Sequence, residues 1–242
     1  MNLIVDVGNT FVKFAVFSED VLKEKLVGEI NDFNELALGV LKIYPKIDKA
    51  IMSSVGILED KHVSTLEDKV KVVLLSHDLD LPFVNLYETP KTLGVDRIGL
   101  VCASVEQFPD SNVLIIDAGT CITYDFVNTN NEYLGGAISP GIRLRYRTLN
   151  NLTANLPLLD TQLPDSILGN STQNSIHSGV VIGVLKEIDG VIDEYIKKYS
   201  DLTIILTGGD TNFLSNQLKN GIFANSNFLL EGLNFILEYN SQ

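Results

Sequence analysis

The sequence predicts a mixed α/β chain made of two similar lobes. Three features carry that expectation. The stretch NLIVDVGNTFVKFAVF (residues 2–17) is echoed by NVLIIDAGTCITYDFV (residues 112–127). Each copy has an apolar strand, an Asp-x-Gly turn with a threonine close behind, and a second strand. Asp117 follows Asp6 by 111 positions in a chain of 242 residues, a separation that suits a duplicated fold. Helical stripes alternate with short strand candidates in both halves.

The hairpins come first. β-Branched and aromatic residues flank both Asp-x-Gly turns and favour paired strands over helices. Behind Asn31 and Asp32, the residues Phe33, Leu36, Ala37, Val40, Leu41 and Tyr44 share one helical face. KAIMSS (49–54), KVVLLS (71–76) and LTIILTGG (202–209) read as strands. In TLGVDRIG (92–99) an acid and a base stand at the mouth of an apolar run, and Ile98 to Val105 reads as a buried helix. Ile176, Val180, Val184, Ile188, Ile192 and Ile196 mark a helix over 173–199, in one piece or two. NFLLEGLNFILEY (227–239) is a closing helix. No Pro/Ser-rich linker separates the halves, and a seam near QFPDSN (107–112) gives lobes of residues 1–109 and 110–242.

Composition narrows the function. Hydrophobic residues are 45% and charged residues 20% of the chain, as in ordinary globular proteins. No apolar stretch reaches the roughly 20 residues of a membrane span. The start, MNLIVDVGNT, has no basic region, so no secretory signal is expected. Cys102 and Cys121 sit in apolar surroundings outside any CxxC pair and are expected to be reduced core thiols of a cytoplasmic protein. A net charge of −13 argues against nucleic acid or an anionic membrane as main partner. The same charge obliges any phosphate site to bring its own donors. Phosphate-loop, GxGxxG, HExxH and GxSxG motifs are missing. His62, His77 and His177 lack metal-ligand spacing, so neither a zinc site nor a Ser-His-Asp triad is expected.

At DVGNT, a glycine two residues after an aspartate lets a phosphate approach main-chain N–H groups. Asn9 and Thr10 add neutral donors, and Lys13 adds a positive charge on the next strand. For one such copy alone, a plain hairpin turn is the better explanation. With DAGT as a second copy and LTGGD (206–210) as a third turn, the set resembles the phosphate and adenosine grips of the actin/hexokinase/Hsp70 superfamily. That resemblance implies an α/β fold of two duplicated ribonuclease-H-like (actin-like) lobes with a nucleotide cleft between them. Asp6 and Asp117 would face that cleft as carboxylates for hydrated cations.

YETPKTLGVDRIG (87–99), together with DVGNT, IDAGT, GGAISPGI (135–142) and GNSTQNSIHSG (169–179), resembles the type III pantothenate kinases along nearly the whole chain. The resemblance implies ATP-dependent phosphorylation of the primary hydroxyl of pantothenate, the first step toward coenzyme A, by a homodimer. It implies Asp96 as general base and Arg97 as a clamp on the pantothenate carboxylate. Gly94 and Val95 would offer backbone contacts, and Tyr87 would line the same pocket. Thr172 matches a threonine that reaches pantothenate, in a pocket shared with a second subunit. Asp6, Gly8, Asn9, Thr10, Lys13 and Thr120 match ATP contacts. Asp117 matches the ligand of a monovalent cation, K⁺ or NH₄⁺, which would act beside Mg²⁺. Cys121 stands where a small residue such as alanine is more usual in this family. Arg143, Arg145 and Arg147 read as a solvated or subunit-facing strip, with Arg143, just after the SPG turn, as the exception. Two alternatives stay open: a related kinase or phosphatase for another small hydroxylated acid or sugar, and a nucleotide-sensing accessory protein without turnover.

Overall fold

The computed structural model describes residues 1–8, 11–56 and 59–241. The chain divides into two compact units. Unit 1 holds Met1–Pro109, Asn131–Tyr133 and Asn227–Gln242; unit 2 holds Asp110–Asn130 and Leu134–Ser226.

Unit 1 opens with the strands β1 (Asn2–Val7), β2 (Phe11–Ser18) and β3 (Val21–Glu29), followed by the helix α1 (Phe33–Ile43). After these come β4 (Lys49–Ser54), α2 (Asp60–Glu67), β5 (Lys71–Leu74), β6 (Val84–Asn85) and α3 (Val95–Gln107). Its sheet runs β3-β2-β1-β4-β5, antiparallel through the hairpins and parallel at β1–β4 and β4–β5. Every residue of β1 is buried, as a central strand covered on both faces should be. Leu3, Val5 and Val7 join Phe14 of β2, Phe33 and Val40 of α1 and Leu66 of α2 in one core cluster. In β2, Phe14 to Phe17 are all buried for the same reason.

Unit 2 is built from β7 (Asn112–Ala118), β8 (Cys121–Val127), β9 (Glu132–Pro140) and α4 (Ile142–Asn151). The expected helix over 173–199 arrives as α5 (Thr172–His177), a π-helical turn over Ser178–Ile182, and α6 (Gly183–Lys198). Then follow β10 (Leu202–Thr207), α7 (Thr211–Ser215) and β11 (Phe223–Ala224). The sheet order is β11-β10-β7-β8-β9, and β6 pairs with the first residues of β9 at Val84↔Glu132 and Asn85↔Tyr133.

The two sheets therefore repeat one order, hairpin strands on one side and parallel strands on the other. The repeat extends to register. Asp6 lies opposite Lys13 and Ser53, and Asp117 lies opposite Thr123 and Thr207. Each aspartate is the penultimate residue of its strand, which places its carboxylate beside the glycine turn. The second turn is shorter by one residue, since Ala118 pairs with Ile122 where Val7 pairs with Val12.

The closing helix, α8 (Phe228–Tyr239), clusters with unit 1 rather than with the residues that precede it. Its partner is α3, whose residues from Arg97 to Val105 are all buried. A β-carbon at Gly232 would lie 2.0 Å from the Gly99 carbonyl oxygen, so the helices cross where neither has a side chain. Cys102 is buried in α3, and burial pushes its thiol well above the ordinary value. Cys121, expected in the core, is exposed at the start of β8, because strand alternation turns it outward there. No helix among the described residues is long and apolar enough to cross a membrane.

Candidate active site

The residues singled out above fall in both units. In unit 1, Gly94 is the N-cap of α3, and Val95, Asp96 and Arg97 are its first three residues. The backbone at Gly94 (φ −58°, ψ 134°) would suit any residue, so the glycine is there for space. A β-carbon at 94 would stand 2.4 Å from Asp96 Oδ1. The carboxylate folds back over that bare α-carbon, and Oδ1 accepts the Arg97 backbone N–H at 2.8 Å. The positive end of the helix dipole favours an anion at this place. His77 Nε2 donates to the Leu93 carbonyl at 2.8 Å, tying down the residue just before the glycine.

Arg97 is 5% exposed. Its guanidinium carbon lies 5.7 Å from the Tyr87 ring centroid and 6.0 Å from that of Tyr133. An arginine keeps its proton even when buried, and aromatic faces suit its delocalised charge. Asp6 is 5% exposed, and its Oδ2 accepts from Lys13 Nζ at 2.9 Å. The Gly8 N–H donates to the Phe11 carbonyl at 3.0 Å. Asn9 and Thr10 lie outside the described residues.

In unit 2, three turns press together. Gly208 has φ +95°, a conformation that calls for glycine. A β-carbon there would lie 2.3 Å from Asp117 Oδ1 and 2.4 Å from the Ala118 carbonyl oxygen. The Asp210 N–H donates to that same carbonyl at 2.9 Å. From the other side, the Gly141 N–H donates to the Thr120 carbonyl at 3.0 Å, and a β-carbon at Gly141 would meet the Gly119 carbonyl oxygen at 2.1 Å. LTGGD and SPG thus frame DAGT, with Thr120 left exposed. Burial lifts the Asp210 carboxyl above the ordinary value, and nearby Arg143 pulls it back in part.

The arginine strip resolves into a helix with two kinds of residue. Arg143 and Arg147 are exposed on α4. Arg145 is half-buried: it donates to the Pro140 carbonyl (2.8 Å), Ser139 Oγ (3.0 Å) and Glu187 Oε2 (2.5 Å). Burial alone would lift Glu187, but hydrogen bonds from Arg145, Ser139 and Tyr124 outweigh it and hold the carboxyl below its ordinary value. Arg145 therefore braces the SPG turn from within unit 2. Thr172 is exposed at the first position of α5, where Ser171 caps the helix by accepting the Asn174 N–H at 3.2 Å.

No three His, Cys, Asp or Glu side chains converge to hold a metal among the described residues. The Asp117 carboxylate and Ala118 carbonyl that meet over Gly208 are hard oxygen donors of the kind an alkali or alkaline-earth cation takes.

The sequence profile of the type III pantothenate kinases matches residues 2–194. This chain belongs to the type III pantothenate kinase family. The type III pantothenate kinase of Christiangramia forsetii is 52% identical over 240 residues, with 99% of each chain covered. That of Flavobacterium johnsoniae is 51% identical over 239 residues, covering 99% of this chain and 98% of its own. Among solved structures, a Baf family protein from Campylobacter jejuni superposes with a TM-score of 0.65 at 24% identity, covering 98% of each chain. A glucokinase from an Antarctic psychrotroph does so with a TM-score of 0.52 at 12% identity, again over 98% of each. At such identities the solved structures speak for the fold alone. They show that this chain shares the α/β fold of those proteins. The structure sets Tyr133 against Arg97, Asp210 against the DAGT turn and Arg145 against the SPG turn. Asp210 ends the LTGGD motif, whereas no local signal marks Tyr133.

Proposed function

We propose that the chain transfers the γ-phosphoryl group of ATP to the primary hydroxyl of pantothenate, with Asp96 as general base and Arg97 holding the substrate carboxylate. The observation that carries this reading is the first turn of α3, where a carboxylate fixed over Gly94 adjoins a buried arginine. Asp96 takes the hydroxyl proton as the oxygen attacks the γ-phosphorus and ADP departs; 4′-phosphopantothenate forms. A carboxylate with a reference pKa near 4 is a weak base. It suffices, because the loose transition state asks mainly for positioning and charge neutralisation. Positioned proton acceptance contributes about 10²–10⁴-fold. Arg97 also sets a fixed positive charge before an anionic substrate in a chain of net charge −13.

Gly94 and Val95 supply backbone contacts, and Tyr87 lines the pocket. Asp6, Gly8, Asn9, Thr10, Lys13 and Thr120 are the ATP contacts. Asp117, with the Ala118 carbonyl, suits a monovalent cation, which would offset phosphate charge. Mg²⁺ would arrive with ATP, needing one or two protein carboxylates rather than a dedicated cage. The chain works as a homodimer in which Thr172 of one subunit completes the pocket of the other. What supports this is exposed apolar surface just before Thr172: Leu152, Leu158, Ile167 and Leu168 are 79%, 59%, 72% and 80% exposed.

Kinetics of two variants test the reading. Asp96→Asn loses about 10²-fold or more in kcat while binding ATP normally; near-normal turnover would hand the proton to another group. Arg97→Lys raises KM for pantothenate, because an ammonium cannot match two oxygens at once. Pantothenol, which lacks the carboxylate, is expected to bind the wild type poorly, and equal binding would end the Arg97 assignment.

A further inference from the structure

We propose that Tyr133 is the positioning residue that presets the Arg97 guanidinium for the substrate carboxylate. The inference rests on the reading of Arg97 given above. Tyr133 is fully buried near the start of β9, within unit 1. Its ring centroid lies 6.0 Å from the Arg97 guanidinium carbon and 6.0 Å from the Tyr87 ring, inclined to that ring by 30°. Phe83 meets it edge-on at 6.2 Å. One ring therefore touches the arginine and both aromatic residues around it.

The main chain of Tyr133 does a second job. Asn85 pairs with it across β6 and β9, and the Leu86 N–H donates to its carbonyl at 3.0 Å. The Val84 N–H donates to the Asn131 carbonyl at 2.9 Å, and Asn85 Oδ1 accepts the Tyr87 N–H at 3.0 Å. The segment from Phe83 to Tyr87 has only a two-residue strand of its own. Pairing with β9 is what places Tyr87 beside Arg97. Tyr133 thus fixes the arginine directly through its ring and indirectly through the strand that carries Tyr87.

An arginine side chain is long and rotamer-rich, so an unbraced fork must be ordered by the substrate itself. A braced fork is ordered beforehand. Loss of the brace should weaken recognition of the carboxylate and leave proton transfer and ATP binding alone.

Full-length Tyr133→Phe and Tyr133→Leu, with Tyr133→Met as a second ring-free variant of greater volume, test this. Tyr133→Phe keeps the aromatic face, and its KM for pantothenate stays within about threefold of wild type. Tyr133→Leu and Tyr133→Met raise that KM about tenfold, with kcat and the KM for ATP within about threefold. The discriminating readout is the ratio of kcat/KM for pantothenate to that for pantothenol, which collapses only if the carboxylate contact is lost. A ring-free variant that keeps the wild-type ratio overturns the proposal, as does a Tyr133→Phe enzyme as impaired as Tyr133→Leu. Should Arg97→Lys raise KM while both ring-free variants do not, Tyr133 alone is misassigned. Should wild type fail to distinguish pantothenate from pantothenol, the Arg97 reading falls and takes this one with it.

Discussion

The Asp96 carboxylate occupies the space that a side chain at Gly94 would need, with Oδ1 2.4 Å from where a β-carbon would stand. The backbone at 94 is unstrained, and the obstructed atom is the end of a side chain, which can rotate at the cost of its hydrogen bond from the Arg97 N–H. Gly94→Ala should relieve the contact by rotating Asp96, not by breaking α3. Stability is expected to change by less than ~1 kcal/mol while kcat falls about tenfold or more, since a displacement near 1 Å can cost 10²-fold. Thermal melts and steady-state kinetics check both halves. Wild-type kcat in this variant would mean that the carboxylate can act from elsewhere.

Lys13 guards a nearly buried charge. The Asp6 side chain is 7% exposed, and Lys13 Nζ is 2.9 Å from its Oδ2. Removing the cation leaves the carboxylate poorly solvated. Because Lys13 itself is 38% exposed, the loss is discounted to about 1–2 kcal/mol for Lys13→Met. Removing the anion as well, in Asp6→Asn/Lys13→Met, should recover part of it. Urea midpoints of the single and double variants decide the matter, and a double variant no more stable than Lys13→Met would show that the two groups are not coupled.

The hairpin that sets Lys13 opposite Asp6 was legible because a tight Asp-x-Gly turn leaves little freedom in register, whereas the ion pair between them was not. The duplication was legible for the same reason, since Asp117 and Thr123 repeat the pairing. Other parts were hidden by chemistry that mimics loops. The β9 sequence EYLGGAISP contains Gly135, Gly136 and Pro140, which read as turn punctuation. In α4 only Ile142 and Tyr146 are buried, one turn apart, among arginines and asparagines, so the apolar stripe is too thin to see. Tyr133 depends on a partner strand distant in sequence, and neither periodicity nor spacing could reveal that Asn85 would lie beside it. The same holds for α8: its place on α3 follows from Gly99 meeting Gly232, a relation that chain order conceals.

Gly208 should tolerate no side chain. Its φ of +95° strains any other residue, and a β-carbon would lie 2.4 Å from a backbone oxygen, Ala118 O, that cannot swing aside. Gly208→Ala is expected to destabilise the protein by about 2–4 kcal/mol. Gly209→Ala is the control, because nothing lies within 4 Å of its added carbon, and its effect should stay below ~1 kcal/mol. Equal melting temperatures for the two variants would show that the turn can relax, and stimulation of Gly208→Ala by K⁺ undiminished from wild type would separate the turn from the Asp117 cation reading.

Asp210 carries a pH signature of opposite sign to that of an ion-paired acid. Burial raises its carboxyl above the ordinary value of 3.8, and Arg143 only partly opposes this. The folded chain then holds the proton at a pH where the unfolded chain has lost it. Stability contributed at this position therefore declines as pH rises from near 3.8 through the raised value, and the penalty is constant above it. Asp210→Asn removes the ionisation, so it should be more stable than wild type at pH 7. The advantage should shrink on acidification and vanish well below pH 3.8, where the wild-type carboxyl is neutral in the folded and the unfolded chain alike. Melting temperatures of both proteins across that range provide the test. A gain that does not vary with pH would assign the effect to packing, and the absence of any gain at pH 7 would mean that Arg143 compensates the buried charge in full.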